Sequence, residues 1–352
     1  MAPVKTLEAV YGGPVPSRLR KAGMLRRLAL SDRGLERRLR HGLEAAEKEL
    51  AAHAEGAGDP RISDLAGHLA AAGGKRLRPL LVLLGAEFGD PWKDGVTRAA
   101  VIVELVHVSS LYHDDVMDAA ATRHGVPSAN SRWGERLAVL AGDLLLAKAA
   151  RLAADLGPEA TSLNAEVAGR LVEGQLQELV GPGAGDDPLG HYHRVISGKT
   201  AALLAMSLRI GAQQAGAPEQ VVWALGEYAE QLGFAFQMAD DLLDIKTPTE
   251  QLGKEQGKDL AAGVASLPVL LALADRTAQG AELRELLSAG SVGPAERGRA
   301  LALFRRSPAL AEAEAMMHGR LDRARTALQS LPPRPALEAL RSLCDVVAGQ
   351  TR

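Results

Sequence analysis

Two short aspartate clusters with the same spacing are the residues of this chain best suited to chemistry. Asp-Asp-Val-Met-Asp occupies 114–118 and Asp-Asp-Leu-Leu-Asp occupies 240–244, and an apolar run precedes each cluster. If both runs are helices, residues four apart share a face, so each cluster forms an acidic stripe. A single cluster of this kind is usually solvated surface, but carboxylates crowded beside a core favour a bound cation. Because oxygen ligands suit Mg²⁺, which bridges to phosphates, the pair predicts a site for Mg²⁺ and a phosphorylated ligand.

Basic residues beside glycines supply the charge that such a ligand requires. Gly73 and Gly74 precede Lys75 and Arg78 at a predicted helix start, where backbone amides favour an anion and a guanidinium grips phosphate oxygens. The other candidate phosphate ligands are Arg123, Lys199 and Lys254. Each Gly-Lys pair is weak by itself, but together these residues carry more positive charge than one phosphate needs. The set therefore indicates two polyanions bound together.

Composition excludes several other classes of protein. The chain has 352 residues, 47% of them hydrophobic and 24% charged, which is typical of a soluble protein. A net charge of −2 and 3% aromatic residues give no support to nucleic-acid binding. The single cysteine, Cys344, excludes an internal disulfide and is expected to be a buried, inert thiol in a reducing cytoplasm. No signal peptide or membrane span is predicted, so we expect a cytoplasmic protein.

The spacing of apolar residues predicts an all-α fold. Apolar residues recur every three or four positions through most of the chain, and almost no sustained strand-like alternation occurs. Residues 1–16 are rich in proline and glycine and are expected to be a loose extension. No shift in composition divides the rest, so 17–352 is predicted to be one domain. The matched clusters suggest that its two halves contribute equivalent helices to one apolar cavity.

The chain resembles the trans-isoprenyl diphosphate synthases, the polyprenyl synthetase family, over roughly residues 30–350. Seven ordered motifs carry the resemblance: GGKRLRP, LVHVSSLYHDDVMDAAATRHG, GDLLLAKA, EGQLQEL, SGKT, FQMADDLLD and LGKEQGKDL. It implies a helical isoprenoid-synthase bundle and Mg²⁺-dependent condensation of isopentenyl diphosphate with an allylic diphosphate. It also implies a homodimer, and three Mg²⁺ ions once diphosphate is bound.

The resemblance also implies a role for each matched residue. Asp114, Asp118 and Asp240 would hold Mg²⁺ against the allylic diphosphate, supported directly or through water by Asp115, Asp241 and Asp244. The implied allylic diphosphate ligands are Arg123, Lys199, Thr200, Gln237 and Lys254. The implied isopentenyl diphosphate ligands are Lys75, Arg78 and His107. Metal and basic residues neutralise the departing diphosphate, so Asp114, Asp118, Asp240, Lys199 and Arg123 are the residues expected to carry catalysis.

Three positions depart from the pattern of the family. His124 stands where many relatives have a second arginine, so isopentenyl diphosphate is expected to bind more weakly and with a dependence on pH. Lys258 replaces a small residue, and Val264 stands where many relatives have lysine. None of these positions is a metal aspartate, so we expect altered affinity and retained activity.

Small residues before the first cluster bear on product length. Ser110 lies one helical turn before Asp114, about 5.4 Å along the axis, and Ser109 lies beside it. Short-chain relatives carry bulky aromatic residues here, so we expect a floor nearer Val106 or Val103 and a chain of six or more isoprene units. A side chain from another helix, within LNAEVAGRLVEG, could close the tunnel earlier and give a geranylgeranyl or farnesyl product. A class I terpene cyclase and a non-catalytic subunit of a heteromeric synthase are the remaining alternatives.

Overall fold

The computed structural model describes residues 24–28, 30–55, 58–248, 256–278, 280–288 and 292–350. Among these residues helices account for nearly all regular structure, and the strands are two pairs of residues in one hairpin. The predicted all-α class is therefore confirmed. The predicted extension over 1–16 lies outside the described residues.

The helices follow the predicted apolar periods, with short connections between them. In the first half of the chain they are α1 (Arg33–Glu55), α2 (Pro60–Ala72), α3 (Leu77–Ala86), α4 (Gly95–Met117), the hairpin strands β1 (Thr122–Arg123) and β2 (Val126–Pro127), α5 (Ala129–Trp133), α6 (Glu135–Leu156) and α7 (Pro158–Val180). The later helices are α8 (Pro188–Ile196), a π-helical turn (Ser197–Ala201), α9 (Ala202–Gln214), α10 (Glu219–Lys246), α11 (Lys258–Ala262), α12 (Leu267–Ala274), α13 (Ala281–Ser288), α14 (Pro294–Phe304), α15 (Pro308–Ala327) and α16 (Pro335–Gln350). Short 3₁₀ turns occupy Leu25–Arg27 and Leu328–Ser330.

The chain divides into two compact units, each assembled from separated segments. The first unit contains the described residues up to Ala165 together with Met206–Val222 and Pro332–Ala339. The second contains Glu166–Ala205, the described residues from Trp223 to Leu331, and those from Leu340 onward. The prediction of one domain over 17–352 stays a prediction.

Helix α4 is the centre of the first unit. It packs along α6, and α1 and α3 also contact it. Residues Ala99 to Val106 are buried on every side of this helix, as expected for a core helix that is apolar around its whole circumference. The apolar run that precedes the first aspartate cluster therefore anchors that cluster to the core.

In the second unit α10 anchors the second cluster to the core in the same way. Its buried residues include Leu232, Ala235, Met238 and Leu242, which recur every three or four positions. Further along the chain α12 packs against α15, and α8 also contacts α12. Cys344 is buried in α16, and burial raises the pKa of its thiol to about 11, in agreement with the inert thiol expected from the sequence.

The helical stretch Pro188–Gln214, which runs from α8 through α9, is long and apolar enough to cross a membrane by composition alone. Within this structure, however, 78% of its apolar window is buried. Core helices of soluble proteins pass the same test of length and hydropathy, so this stretch is weak evidence for a span. The absence of a membrane span stays a prediction.

Candidate active site

The first acidic cluster lies at the C-terminal end of α4, and its three aspartates have different surroundings. Asp115 is fully buried, and its Oδ1 accepts a hydrogen bond from Arg123 Nε at 2.7 Å and lies 2.6 Å from Arg123 Nη2 in an ion pair. Asp114 is half-buried and Asp118 is exposed. Asp115 Oδ2 is buried with no hydrogen-bond partner among the described residues. Arg123 therefore neutralises the middle carboxylate, while the outer two present their faces to solvent.

A two-residue hairpin turn returns Arg123 and His124 toward α3. The backbone φ angles of His124 (52°) and Gly125 (79°) are both positive, as a type I′ turn requires between antiparallel strands. In this turn the His124 ring donates a hydrogen bond to the backbone of Gly73. The predicted helix start is confirmed, because α3 begins at Leu77 directly after this glycine segment. The hairpin and the basic segment Lys75–Arg78 thus meet within the first unit.

Five cationic or titratable side chains crowd the same region. Burial, followed by the charges of Arg78, His124, Arg76 and Arg123, holds the pKa of His107 well below its usual value. Burial also lowers the pKa of Arg78, whose Nε is buried and has no hydrogen-bond partner among the described residues. A buried guanidinium N–H without an acceptor is costly, and an anion bound here would satisfy it. The predicted residues Arg78, His107 and His124 therefore come together, and their function as an anion site stays a prediction.

Arg76 differs from its neighbours because protein carboxylates already satisfy it. It is buried, its Nη1 lies 2.7 Å from Glu104 Oε1, its Nε pairs with Glu47, and its Nη2 donates to the Ala70 carbonyl at 2.8 Å. The Arg76 backbone adopts a left-handed conformation with φ of 48°, which is unfavourable for a residue with a Cβ. These contacts hold the chain in the conformation that separates Lys75 from Arg78.

The second acidic cluster lies near the C-terminal end of α10. Asp241 is buried, and burial raises the pKa of its carboxyl. Three donors hold this carboxylate: the Tyr192 hydroxyl at 2.6 Å, Gln237 Nε2 at 3.0 Å and the Leu267 backbone N–H at 3.0 Å. All three donors are neutral, in contrast to the guanidinium that neutralises Asp115.

The first and third aspartates of the second cluster differ in burial and in hydrogen bonding. Asp244 is buried and accepts hydrogen bonds from the backbone N–H groups of Lys258 at 3.3 Å and Asp259 at 3.0 Å, in the first turn of α11. Asp240 is exposed. In this motif the first aspartate is therefore presented to solvent, while the second and third fix the local backbone.

The Ser-Gly-Lys-Thr motif forms the π-helical turn between α8 and α9. Thr200 Oγ1 donates to Gln237 Oε1 at 3.1 Å, and Gln237 in turn contacts Asp241. Lys199 forms an ion pair with Glu178 of α7. The implied allylic ligands Lys199, Thr200 and Gln237 are thus brought together in the second unit, whereas Lys254 lies outside the described residues.

The two serines proposed to set product length point to different neighbours. Ser109 is fully buried, and its hydroxyl donates to the Gly142 carbonyl of α6 at 2.8 Å. Ser110 is half-buried, and its hydroxyl donates to the His107 carbonyl one turn back at 2.8 Å. Ser109 therefore belongs to the contact between α4 and α6, and Ser110 lies on the side of α4 that carries Asp114.

Sequence reasoning did not assign Tyr192 or Glu178 to the site. The Tyr192 hydroxyl makes the shortest of the three described hydrogen bonds to Asp241, at 2.6 Å. Glu178 follows Arg170 and Gly174 at intervals of four on α7, a spacing that places them on one helical face. That spacing was the available signal for Glu178, and no pattern in the sequence indicated Tyr192.

The carboxylate oxygens of the two clusters are the kind of ligand that Mg²⁺ prefers. Among the described residues no three His, Cys, Asp or Glu side chains converge as a complete metal cage. Mg²⁺ does not need one, because it keeps several waters and binds proteins through one or two carboxylates plus substrate phosphates. The half-buried Asp114, the exposed Asp118 and Asp240, and the unsatisfied Asp115 Oδ2 fit that requirement. Because the two clusters lie in different units, the prediction that they share one cavity stays a prediction.

Comparisons with known proteins agree with these observations. The sequence model described as "Polyprenyl synthetase" matches residues 59–302. The chain is 42% identical over 288 residues to a nonaprenyl diphosphate synthase of Mycobacterium tuberculosis. This alignment covers 82% of this chain and 86% of that protein. It is 38% identical to heptaprenyl diphosphate synthase component 2 of Geobacillus stearothermophilus, covering 86% of this chain and 93% of the relative. A crystal structure of geranylgeranyl pyrophosphate synthase from Corynebacterium glutamicum, complexed with calcium and isoprenyl diphosphate, has a TM-score of 0.84 and 38% identity over 92% of this chain and 99% of that one.

Proposed function

Because this chain belongs to the polyprenyl synthetase family and is a trans-prenyl diphosphate synthase, we propose that it elongates an allylic diphosphate to a chain of six or more isoprene units. The site assignment depends on one observation: the aspartates within each cluster differ in burial and in hydrogen bonding. In both clusters the second aspartate is buried and bonded to protein donors, whereas the first is half-buried in one cluster and exposed in the other. This arrangement supports a bound cation without disturbing the core.

The proposed reaction separates charge on one substrate and uses the double bond of the other. Lys199 and Thr200 hold the allylic diphosphate, so its C–O bond breaks with the electron pair leaving on the diphosphate. The double bond of isopentenyl diphosphate then attacks the allylic carbon, which forms the new C–C bond. The adduct then loses a proton to the released diphosphate. The electron pair of the broken C–H bond forms a new double bond and neutralises the carbocation.

Arg78, Lys75 and His107 are proposed to hold isopentenyl diphosphate. The unsatisfied Arg78 Nε and the depressed pKa of His107 both support an anion at this place, because an anion would stabilise the cationic form of each group. At neutral pH His107 is then a neutral donor until the diphosphate arrives. His124 faces the same region, and burial lowers its pKa, so it contributes a hydrogen bond more than a charge.

Mg²⁺ is the proposed cofactor, with Asp114, Asp118 and Asp240 as its protein ligands and three ions as the proposed number. Bound there, the ions supply Lewis-acid neutralisation of the diphosphate oxygens. The calcium and isoprenyl diphosphate in the Corynebacterium structure support this assignment, since calcium takes the same kind of oxygen ligands. Asp115, Asp241 and Asp244, each of which protein donors already hold, are proposed to support the ions directly or through water.

Product length is proposed to depend on Ser110. Its side chain is small and half-buried one turn before Asp114, whereas Ser109 is engaged with α6. The 38% identity to a solved geranylgeranyl pyrophosphate synthase supports the alternative of a geranylgeranyl product. The nonaprenyl and heptaprenyl relatives support the longer chain.

A homodimer and a cytoplasmic location are further parts of the proposal. On α6, Leu137 and Leu140 are 46% and 61% exposed, and on α7, Val172, Leu176 and Leu179 are 56%, 54% and 61% exposed. Apolar side chains repeated on an exposed helix face are typical of a surface covered by another subunit. Light scattering coupled to gel filtration measures the oligomeric state directly, and a monomeric mass at micromolar concentration would contradict the proposed homodimer.

The test is incubation of the purified chain alone with Mg²⁺, isopentenyl diphosphate and each allylic primer, followed by mass analysis of the products. We expect elongated diphosphates of six or more units. A cyclic or linear hydrocarbon would favour a terpene cyclase. No product from any primer would favour a non-catalytic subunit and refute the proposed synthase activity of the chain by itself.

A further inference from the structure

The π-helical turn Ser197–Ala201 is an irregularity placed in the middle of an otherwise continuous helical stretch. It carries Lys199 and Thr200, the two residues proposed to hold the allylic diphosphate. A π turn is less favourable than the α-helix on either side of it, so its persistence requires contacts from outside the stretch. The second unit contains two such sets of contacts, one from α7 and one from α10.

Close backbone approach fixes the α7 side of the turn. A Cβ at Gly174 would lie 2.7 Å from Lys199 N, and a Cβ at Gly198 would lie 2.6 Å from Arg170 O. Both distances are shorter than side chains tolerate, so α7 and the turn contact each other through paired glycines. On the α10 side, a Cβ at Gly233 would lie 2.6 Å from Ala201 Cα. The turn is therefore closely packed between two helices at these three glycines.

A charged network holds the first residue of the turn. Arg170 Nη2 donates to the Ser197 carbonyl at 3.2 Å, to Ser197 Oγ at 2.9 Å and to Glu230 Oε1 at 2.9 Å. The Ser197 hydroxyl donates to the same Glu230 oxygen at 2.9 Å. Both charged side chains are partly shielded, at 31% and 21% exposure, so the pair is stronger than an exposed ion pair. Nothing in the reaction proposed above uses either residue.

We propose that Arg170 and Glu230 are positioning residues that lock the π turn so that Lys199 and Thr200 face the allylic diphosphate. The inference rests on the proposed function, because it assumes that Lys199 and Thr200 bind that substrate. Arg170 lies on the α7 face that also carries Gly174 and Glu178, and Glu178 is the ion-pair partner of Lys199. One face of α7 thus contacts the backbone of the turn and also supplies the carboxylate that pairs with its lysine.

A direct electrostatic role for Arg170 makes the opposite prediction. If Arg170 bound the diphosphate itself, removal of Glu230 would free its charge and lower the KM for the allylic substrate. If Arg170 acts through the turn, removal of Glu230 raises that KM. The sign of the change in Glu230→Ala therefore separates the two roles.

The experiment compares Glu230→Ala, Arg170→Ala and the double variant with wild type in steady-state assays with each substrate varied. We expect KM for the allylic diphosphate to rise about tenfold in each single variant, since about 1.4 kcal/mol corresponds to a tenfold change and charge-assisted hydrogen bonds contribute that much. KM for isopentenyl diphosphate should stay within about twofold. The double variant should be no worse than either single one, because the two residues act as a unit. Arg170→Lys, which keeps the charge, should recover most of the loss.

Glu227→Ala is the matched control, because Glu227 is an exposed glutamate one helical turn earlier on α10. It should leave both KM values unchanged. If Glu230→Ala does not fold, Ser197→Ala removes only the bridging hydroxyl and should raise the allylic KM about threefold. An unchanged or lowered allylic KM in the folded variants, or additive effects in the double variant, would overturn the inference. Absence of synthase activity in wild type would instead refute the proposed function.

Discussion

Replacement of Arg76 by methionine is the prediction that the structure allows us to work out most fully. Arg76 Nη1 lies 2.7 Å from Glu104 Oε1, and both side chains are 4% exposed. Methionine preserves much of the apolar volume but leaves the Glu104 carboxylate buried without its cation. Breaking a buried pair in this way costs about 3–5 kcal/mol, a large share of the 5–15 kcal/mol that stabilises a typical domain.

Arg61→Met is the control, because Arg61 and Asp59 lie at the same distance of 2.7 Å but with side chains 90% and 34% exposed. Water screens that pair, so we expect little or no change in stability. Urea titrations of both variants and wild type measure the free energy of unfolding. Equal losses from Arg61→Met and Arg76→Met would refute the argument that burial, and not distance, determines the strength of the pair.

The same variant also tests the link from stability to substrate binding. The contacts of Arg76 hold a left-handed backbone conformation, with φ of 48°, between Lys75 and Arg78. Without those contacts the backbone can relax by the 1–2 kcal/mol that such a conformation costs, about tenfold in affinity when transmitted to the site. We therefore expect KM for isopentenyl diphosphate to rise about tenfold while KM for the allylic substrate stays within about twofold. Equal increases in both constants would show that Arg76 supports the whole fold and not this site.

Three further predictions concern single side chains of the site. Ser110→Phe should shorten the product by at least one isoprene unit, because the ring would fill the space one turn before Asp114; an unchanged product distribution by mass analysis would contradict this, and Ser109→Ala serves as the control. His124→Arg should lower KM for isopentenyl diphosphate about fivefold at pH 8, because burial depresses the pKa of His124 and leaves it neutral there. The gain should shrink as the pH falls, because the wild-type ring takes up its proton only once the pH falls to its depressed pKa, and a gain independent of pH would exclude charge as the cause. Glu178→Gln should lower KM for the allylic diphosphate about threefold, because Lys199 no longer has to leave an ion pair; a rise in this KM would mean that Glu178 positions the lysine productively.

The sequence predicted the elements that position the site because their signals are local. Period and glycine punctuation indicated the helical class, the start of α3 and the apolar helices that end in the two aspartate clusters. The motifs were specific enough to identify the family. Each of these signals depends on residues within a few turns of one another, which is the range over which helical spacing is informative.

Contacts between distant segments could not be read in the same way. Tyr192 and Asp241 are 49 residues apart, and Arg76 and Glu47 are 29 apart, so no period of the chain relates them. Ser109 and Ser110 were treated alike because they are adjacent, although a helix turns them about 100° apart and only packing against α6 separates their roles. Side-chain partners depend on which helix faces pack together, and this is a property of the assembled unit.

The two aspartate clusters have the same spacing, but the compensation of their buried charge is different. The negative charge of Asp115 is neutralised by Arg123, a cation fixed by the hairpin turn that follows the cluster. Asp241 receives hydrogen bonds from neutral groups alone among the contacts described for it, and its pKa is raised by burial and, to a smaller extent, by the charge of Asp240. Hydrogen bonds from neutral donors stabilise a carboxylate without cancelling its field, so Asp240 lies beside a charge that persists. The second cluster therefore depends more than the first on cations that arrive with the substrate, and this difference follows from the partners and not from the motif.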